Sequence, residues 1–143
     1  MEMRDMSKKD VLESILDNFF LKRLNEVTTF VVTNERGLII VDKAIDGIST
    51  SSLAAMTSLM SHTTNRVNKN LNLGEWDLIS LSSSKGVLYI KTFEILSREF
   101  QLGALLNRTE RLHRLRWLRR RRRNIENDLE AVIKEIKEII ERD

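Results

Sequence analysis

The sequence predicts an α/β fold, a single domain of helices and hairpins that carries a long C-terminal helix, and three observations predict it. A chain of 143 residues with 41% apolar and 31% charged side chains suits one core, which at this length buries roughly two thirds of the surface the unfolded chain exposes. The pattern of residues 32–41 (Val-Thr-Asn-Glu-Arg-Gly-Leu-Ile-Ile-Val) returns at residues 81–90 (Leu-Ser-Ser-Ser-Lys-Gly-Val-Leu-Tyr-Ile), offset by 49 throughout. In both, polar residues, a base and a glycine precede four apolar positions, which is a hairpin signal. Residues 109–142 contain neither Gly nor Pro, so nothing in them stops a helix of about 50 Å.

The elements follow in order. Val11, Ile15 and Phe19 interleave with Leu12, Leu16, Phe20 and Leu24 at three- and four-residue spacing, which predicts a first helix over 7–24 with Ser7 as N-cap and Asp10 in its first turn. The β-branched runs at 28–33 and 38–41 flank Asn34 and Gly37 and form the first hairpin. Over 49–72, Leu53, Met56, Met60, Val67 and Leu71 recur on one side of a second helix. Ser51, Ala55, Ser58, His62, Asn65 and Lys69 form an outer stripe small enough at its start for another backbone to come close. Gly74 marks the stop. A strand over 76–81 leads into the second hairpin, and residues 100–106 read as a last strand whose Gly103 permits close packing. In the final helix Ile125, Leu129, Val132, Ile136 and Ile139 are spaced four, three, four and three, widened by Ile133 and Ile140. That seam reads as one needing a partner. The division is a domain over 1–108 and a helical extension over 109–143.

Charge is distributed unevenly. The net charge is +3, but residues 111–123 hold eight Arg and no acid, while residues 124–143 hold three bases and seven acids. The high pI belongs to the thirteen-residue segment. No Cys is present, which removes disulfides, thiolate nucleophiles and sulfur-ligated zinc. No stretch reaches the ~18 apolar residues of a membrane span, and the first ten residues lack the apolar run of a secretory signal, so the cytoplasm is the expected location. No phosphate loop, nucleophile elbow or zinc helix occurs. His62 and His113 are 51 residues apart on different helices, and Asp42, Asp46, Glu75 and Asp77 read as turn formers. The expectation is no catalytic residue, no metal and no cofactor.

The turn at 33–37 with its following strand, the small-residue helix at 49–71, and the segment 74–80 (Gly-Glu-Trp-Asp-Leu-Ile-Ser) leading to Lys85 and Gly86 together resemble the roadblock family, named for dynein light chains of the roadblock type. The resemblance covers roughly residues 8–120. It implies a five-stranded antiparallel sheet in the order α-β-β-α-β-β-β-α, with helix 2 on one face, helices 1 and 3 on the other, and an extended C-terminal helix as this chain's departure. It also implies a homodimer in which third strands pair edge to edge and second helices lie side by side, acting as a non-catalytic scaffold or regulator of a Ras-like small GTPase. On that reading the dimer and partner surfaces use Ser51, Ala55, Ser58, His62, Asn65, Trp76 and Ile79.

The Arg run asks for a separate partner. Five consecutive residues pass through more than one helical turn, so Arg119, Arg120, Arg121, Arg122 and Arg123, with Arg116 before them, project all round and cannot lie against an apolar surface. Nucleic acid, anionic lipid and an acidic protein are the chemistries that clustered Arg admits. The alternative function from a different class is a nucleic-acid-associated protein. If two such helices met each other, charge favours an antiparallel pairing that lays the run against Glu126, Asp128, Glu130 and Glu135.

Overall fold

The structure, a computed structural model, describes residues 8–22, 27–44, 49–107 and 115–141. Its elements are α1 (Lys8–Lys22), β1 (Val27–Asn34), β2 (Ile39–Ala44), α2 (Thr50–Leu71), β3 (Leu78–Ser82), β4 (Gly86–Ile95), β5 (Arg98–Asn107) and α3 (Leu115–Glu141). Ser7, Asp46 and His113 lie outside the described residues.

The strands form one sheet in the order β2-β1-β5-β4-β3, and all four pairings are antiparallel. Side chains alternate across it. Phe30, Val32, Tyr89, Phe93, Leu102 and Ala104 face one side, where Leu12 of α1 and Leu129, Val132, Ile133 and Ile136 of α3 complete the larger core. Val31, Leu88 and Ile90 face the other side beneath Leu53 and Ala54 of α2. The layer order is therefore α2, sheet, α1 with α3.

Local chemistry explains the connections. The Asn34 side-chain Oδ1 accepts from the N–H groups of Arg36 at 2.9 Å and Leu38 at 3.1 Å, and Gly37 supplies φ +80, so the first hairpin closes on an Asx turn. Ser49 caps α2 by accepting from the Ser52 N–H at 3.2 Å. The helix ends earlier than Gly74 suggests: Asn72 takes the left-handed conformation at φ 55, and the Leu73 N–H reaches the Asn68 carbonyl at 2.9 Å. That six-to-one bond is a Schellman closure, which Asn tolerates. The β4–β5 connection carries Leu96 and Ser97 at φ 52 and 65, a tight turn made without the Gly or Asn that would announce it.

Three expectations are corrected. Of the stripe read as the inner face of α2, Met56 is 52% exposed, Val67 44% and Leu71 64%, whereas Thr57 and Ser61 are fully buried. The helix rests on small residues because it comes close to the sheet: a Cβ placed on Gly103 would lie 2.2 Å from Thr57 Oγ1. Second, the α3 seam needs no second chain. Leu129 and Ile136 are fully buried, Val132 and Ile133 nearly so, all against this chain's own sheet and α1, each such side chain contributing about 1.5–3 kcal/mol. These four residues, all past residue 108, pack into the same core as the strands. Third, the strand expected over 76–81 begins at Leu78, which leaves Trp76 in the connection.

Candidate partner-binding face on α2 and β3

At about 100° per residue, the buried side of α2 is centred between Leu53, Thr57 and Ser61, and the outward side lies opposite it. Ser51, Ala55, Leu59, His62 and Arg66 fall within about 80° of one another on that outward side, and all five are exposed. Leu59, midway along them and at the edge nearest Met56, is 59% exposed, and Met56 flanks that edge. The stripe drawn from sequence is thus rotated toward one flank. Ser51, Ala55, His62 and Asn65 are exposed as drawn. Ser58 instead turns in toward the first hairpin, where a Cβ on Gly37 would meet its Oγ at 3.1 Å. Met56 was missed because it was counted with a core-facing stripe, and Leu59 because it fell between the two stripes; the signal was the four-residue step from Ala55 to Leu59.

Trp76 and Ile79 sit beside this face and hold it. Both are half-buried against the α2-side cluster, and Trp76 Nε1 donates to Asn65 Oδ1 at 2.6 Å. That bond ties the α2–β3 connection to the last turns of α2. β3 is an outer strand of the sheet, and its Leu81, on the α2 side, is 50% exposed. An outer strand with an exposed apolar residue, beside a helix face on which Leu59 and Met56 are exposed, is a surface suited to another protein.

Asn65, Glu75, Trp76, Thr92, Phe93, Glu94 and Glu99 line a cavity of about 370 Å³ next to this face. Among the described residues no group of three or more His, Asp or Glu is placed to hold a metal. Sequence reading also passed over Lys91, which is 4% exposed on the α3 side of β4. Its ammonium pairs with Glu130 of α3 and lies 3.4 Å from Asp77. The helix of residues 115–126 is described as backbone, while the side chains of Arg116, Arg119, Arg120, Arg121, Arg122 and Arg123 lie outside the described residues.

The elements together define an α/β domain in which one five-stranded antiparallel sheet lies between α2 and the pair α1 and α3. The family described as Roadblock/LC7 domain matches residues 16–94, and the chain belongs to that family. Among solved structures, MglB of Myxococcus xanthus superposes with a TM-score of 0.63 at 16% identity, covering 92% of this chain and 93% of that one. The gliding protein MglB of Thermus thermophilus gives 0.61 at 11%, covering 96% and 90%. An MglB solved in a tetrameric arrangement gives 0.68 at 10%, covering 94% and 90%. At these identities the likeness is one of fold. A comparison with curated proteins finds no match. No described helix is long and apolar enough to cross a membrane.

Proposed function

We propose that this protein is a homodimeric scaffold or regulator that binds a Ras-like small GTPase, without catalysis of its own, in the cytoplasm. The observation that carries the reading is the outward face of α2, where Leu59 and Met56 stand exposed among Ser51, Ala55 and His62, next to the outer strand β3. Burying such a face against its own copy removes apolar surface from water at about 25 cal/mol per Å² and covers an unpaired strand edge. Membership of the roadblock family supports the GTPase as partner, and the tetrameric arrangement of one structural relative supports self-association. Phosphate chemistry would then belong to the GTPase, since this chain carries no phosphate loop.

Affinity capture tests the reading. The immobilised protein is exposed to lysate of its source organism, nuclease-treated, with either GDP or a non-hydrolysable GTP analogue added. The expected result is retention of a protein that carries a phosphate-loop sequence, dependent on the nucleotide. Retention only before nuclease treatment would instead favour the nucleic-acid reading of the Arg-rich helix.

A further inference from the structure

Beneath α2 the sheet is polar. Thr29 and Thr33 of β1, Gln101 of β5, and Thr57 and Ser61 of α2 have no exposed surface. The alternation that turns Val31 to α2 turns Thr29 and Thr33 the same way, and Gln101 stands opposite Thr33 in the ladder. The Thr33 hydroxyl donates to Gln101 Oε1 at 3.3 Å. Gln101 Nε2, Ser61 Oγ, Thr57 Oγ1 and Thr29 Oγ1 have no partner among the described residues. Buried donors and acceptors are almost always satisfied, by protein or by ordered water.

The register shows which of these groups are neighbours. Thr57 seats on Gly103. Thr92 is the ladder partner of Gln101, and Thr92, Glu99 and Asn65 line the same cavity, so α2 runs from Gly103 toward Gln101 and Glu99. Four helical residues advance about 6 Å and two strand residues about 6.8 Å. The steps Thr57, Ser61, Asn65 on α2 therefore keep pace with Gly103, Gln101, Glu99 on β5. Ser61, one turn beyond Thr57 and like it without exposed surface, thus lies on the Gln101 side of Gly103, while Asn65, exposed and turned about 80° from Thr57, reaches the cavity at the flank of the helix.

We propose that a bound water bridges Ser61 Oγ and Gln101 Nε2, at the inner end of a hydrated polar seam that runs under the C-terminal half of α2 to the cavity at Asn65, Thr92 and Glu99. The chemistry selects water. An amide N–H₂ donates, a serine hydroxyl both donates and accepts, and Thr57 Oγ1 stands one turn away as a further partner; the two to four polar groups a buried water requires are present. The Glu99 carboxylate, to which the Thr92 hydroxyl donates at 3.0 Å, stands at the cavity end of the seam. The cavity provides the exchange route. One end of α2 rests on the apolar contacts of Leu53 and Ala54 with Val31, Leu88 and Ile90, and the other rests on this polar seam.

The test reads magnetisation transfer from water to the Gln101 side-chain amide protons in the full chain, before and after Ser61→Ala. The expected result is transfer with the sign of a held water, lost in Ser61→Ala. The proposal is overturned if the parent shows no transfer, if transfer is unchanged in Ser61→Ala, or if a high-resolution crystal structure shows Ser61 and Gln101 bonded directly.

Discussion

Thr57 of α2 occupies the place a side chain would take on Gly103 of β5: a Cβ built on Gly103 would come within 2.2 Å of Thr57 Oγ1 and 3.3 Å of its two carbons. This contact sets the distance between α2 and the sheet, and with it which side of α2 faces outward. Thr57 is a short, branched and buried side chain, so it cannot swing clear.

Gly103→Ala should therefore destabilise the fold by about 1–3 kcal/mol through overpacking. Thr57→Ala in the same chain should restore much of the loss, because it empties the place the new methyl enters. Urea midpoints of the two single variants and the double variant measure this. Simple addition of the two single effects would show that Thr57 and Gly103 do not share the space.

Lys91 tests how α3 is fixed. Its side chain is 5% exposed, and the carboxylates it faces, Glu130 and Asp77, are 58% and 88% exposed. Removing Glu130 leaves a buried ammonium with a more distant acid, and the exposure of that carboxylate moderates the loss. Glu130→Gln is expected to cost about 1–3 kcal/mol, while Lys91→Met, which removes the buried charge altogether, should be near neutral. Equal losses in both would contradict the view that the unpaired cation is the source of the cost.

The burial of Leu129 and Ile136 against the chain's own sheet makes α3 part of the folded domain. Leu129→Ala should lower stability by about 2–5 kcal/mol, independent of protein concentration. A loss that shrinks as concentration rises would mean that a second chain supplies the contact.

How far the fold was legible follows from these residues. The hairpins were readable because Asn34, Gly37 and Gly86 punctuate β-branched runs, and the long helix because no Gly or Pro interrupts it. The orientation of α2 was not. Periodicity places Met56, Val67 and Leu71 on one stripe, but a helix that packs closely on a glycine needs hydroxyls and Ala inward, and it sends large apolar residues out. Nor was the closure of the α3 seam, since an apolar stripe looks the same whether its own sheet or another chain covers it. At the candidate face, Ser51, Ala55 and His62 were readable as outward; Leu59 was hidden by the same inversion. Lys91 sits between Ile90 and Thr92 in a strand pattern that gives no sign of the acid on α3.

Calorimetry with GTP and Mg²⁺ should show no heat above dilution for the isolated protein, because a triphosphate site of the usual kind needs a phosphate loop that the sequence lacks. Saturable heat would move nucleotide chemistry into this chain.

The claim that the outward face of α2 joins two copies is tested most directly by the mass in solution of the parent and of Leu59→Arg, read by light scattering after gel filtration. Leu59 is 59% exposed, so the substitution costs the lone chain little and places charge within the contact. The account predicts twice the 16.7 kDa chain mass or a multiple of that for the parent, and a single-chain mass for Leu59→Arg. A single-chain mass for the parent, or an unchanged multiple in Leu59→Arg, would contradict it.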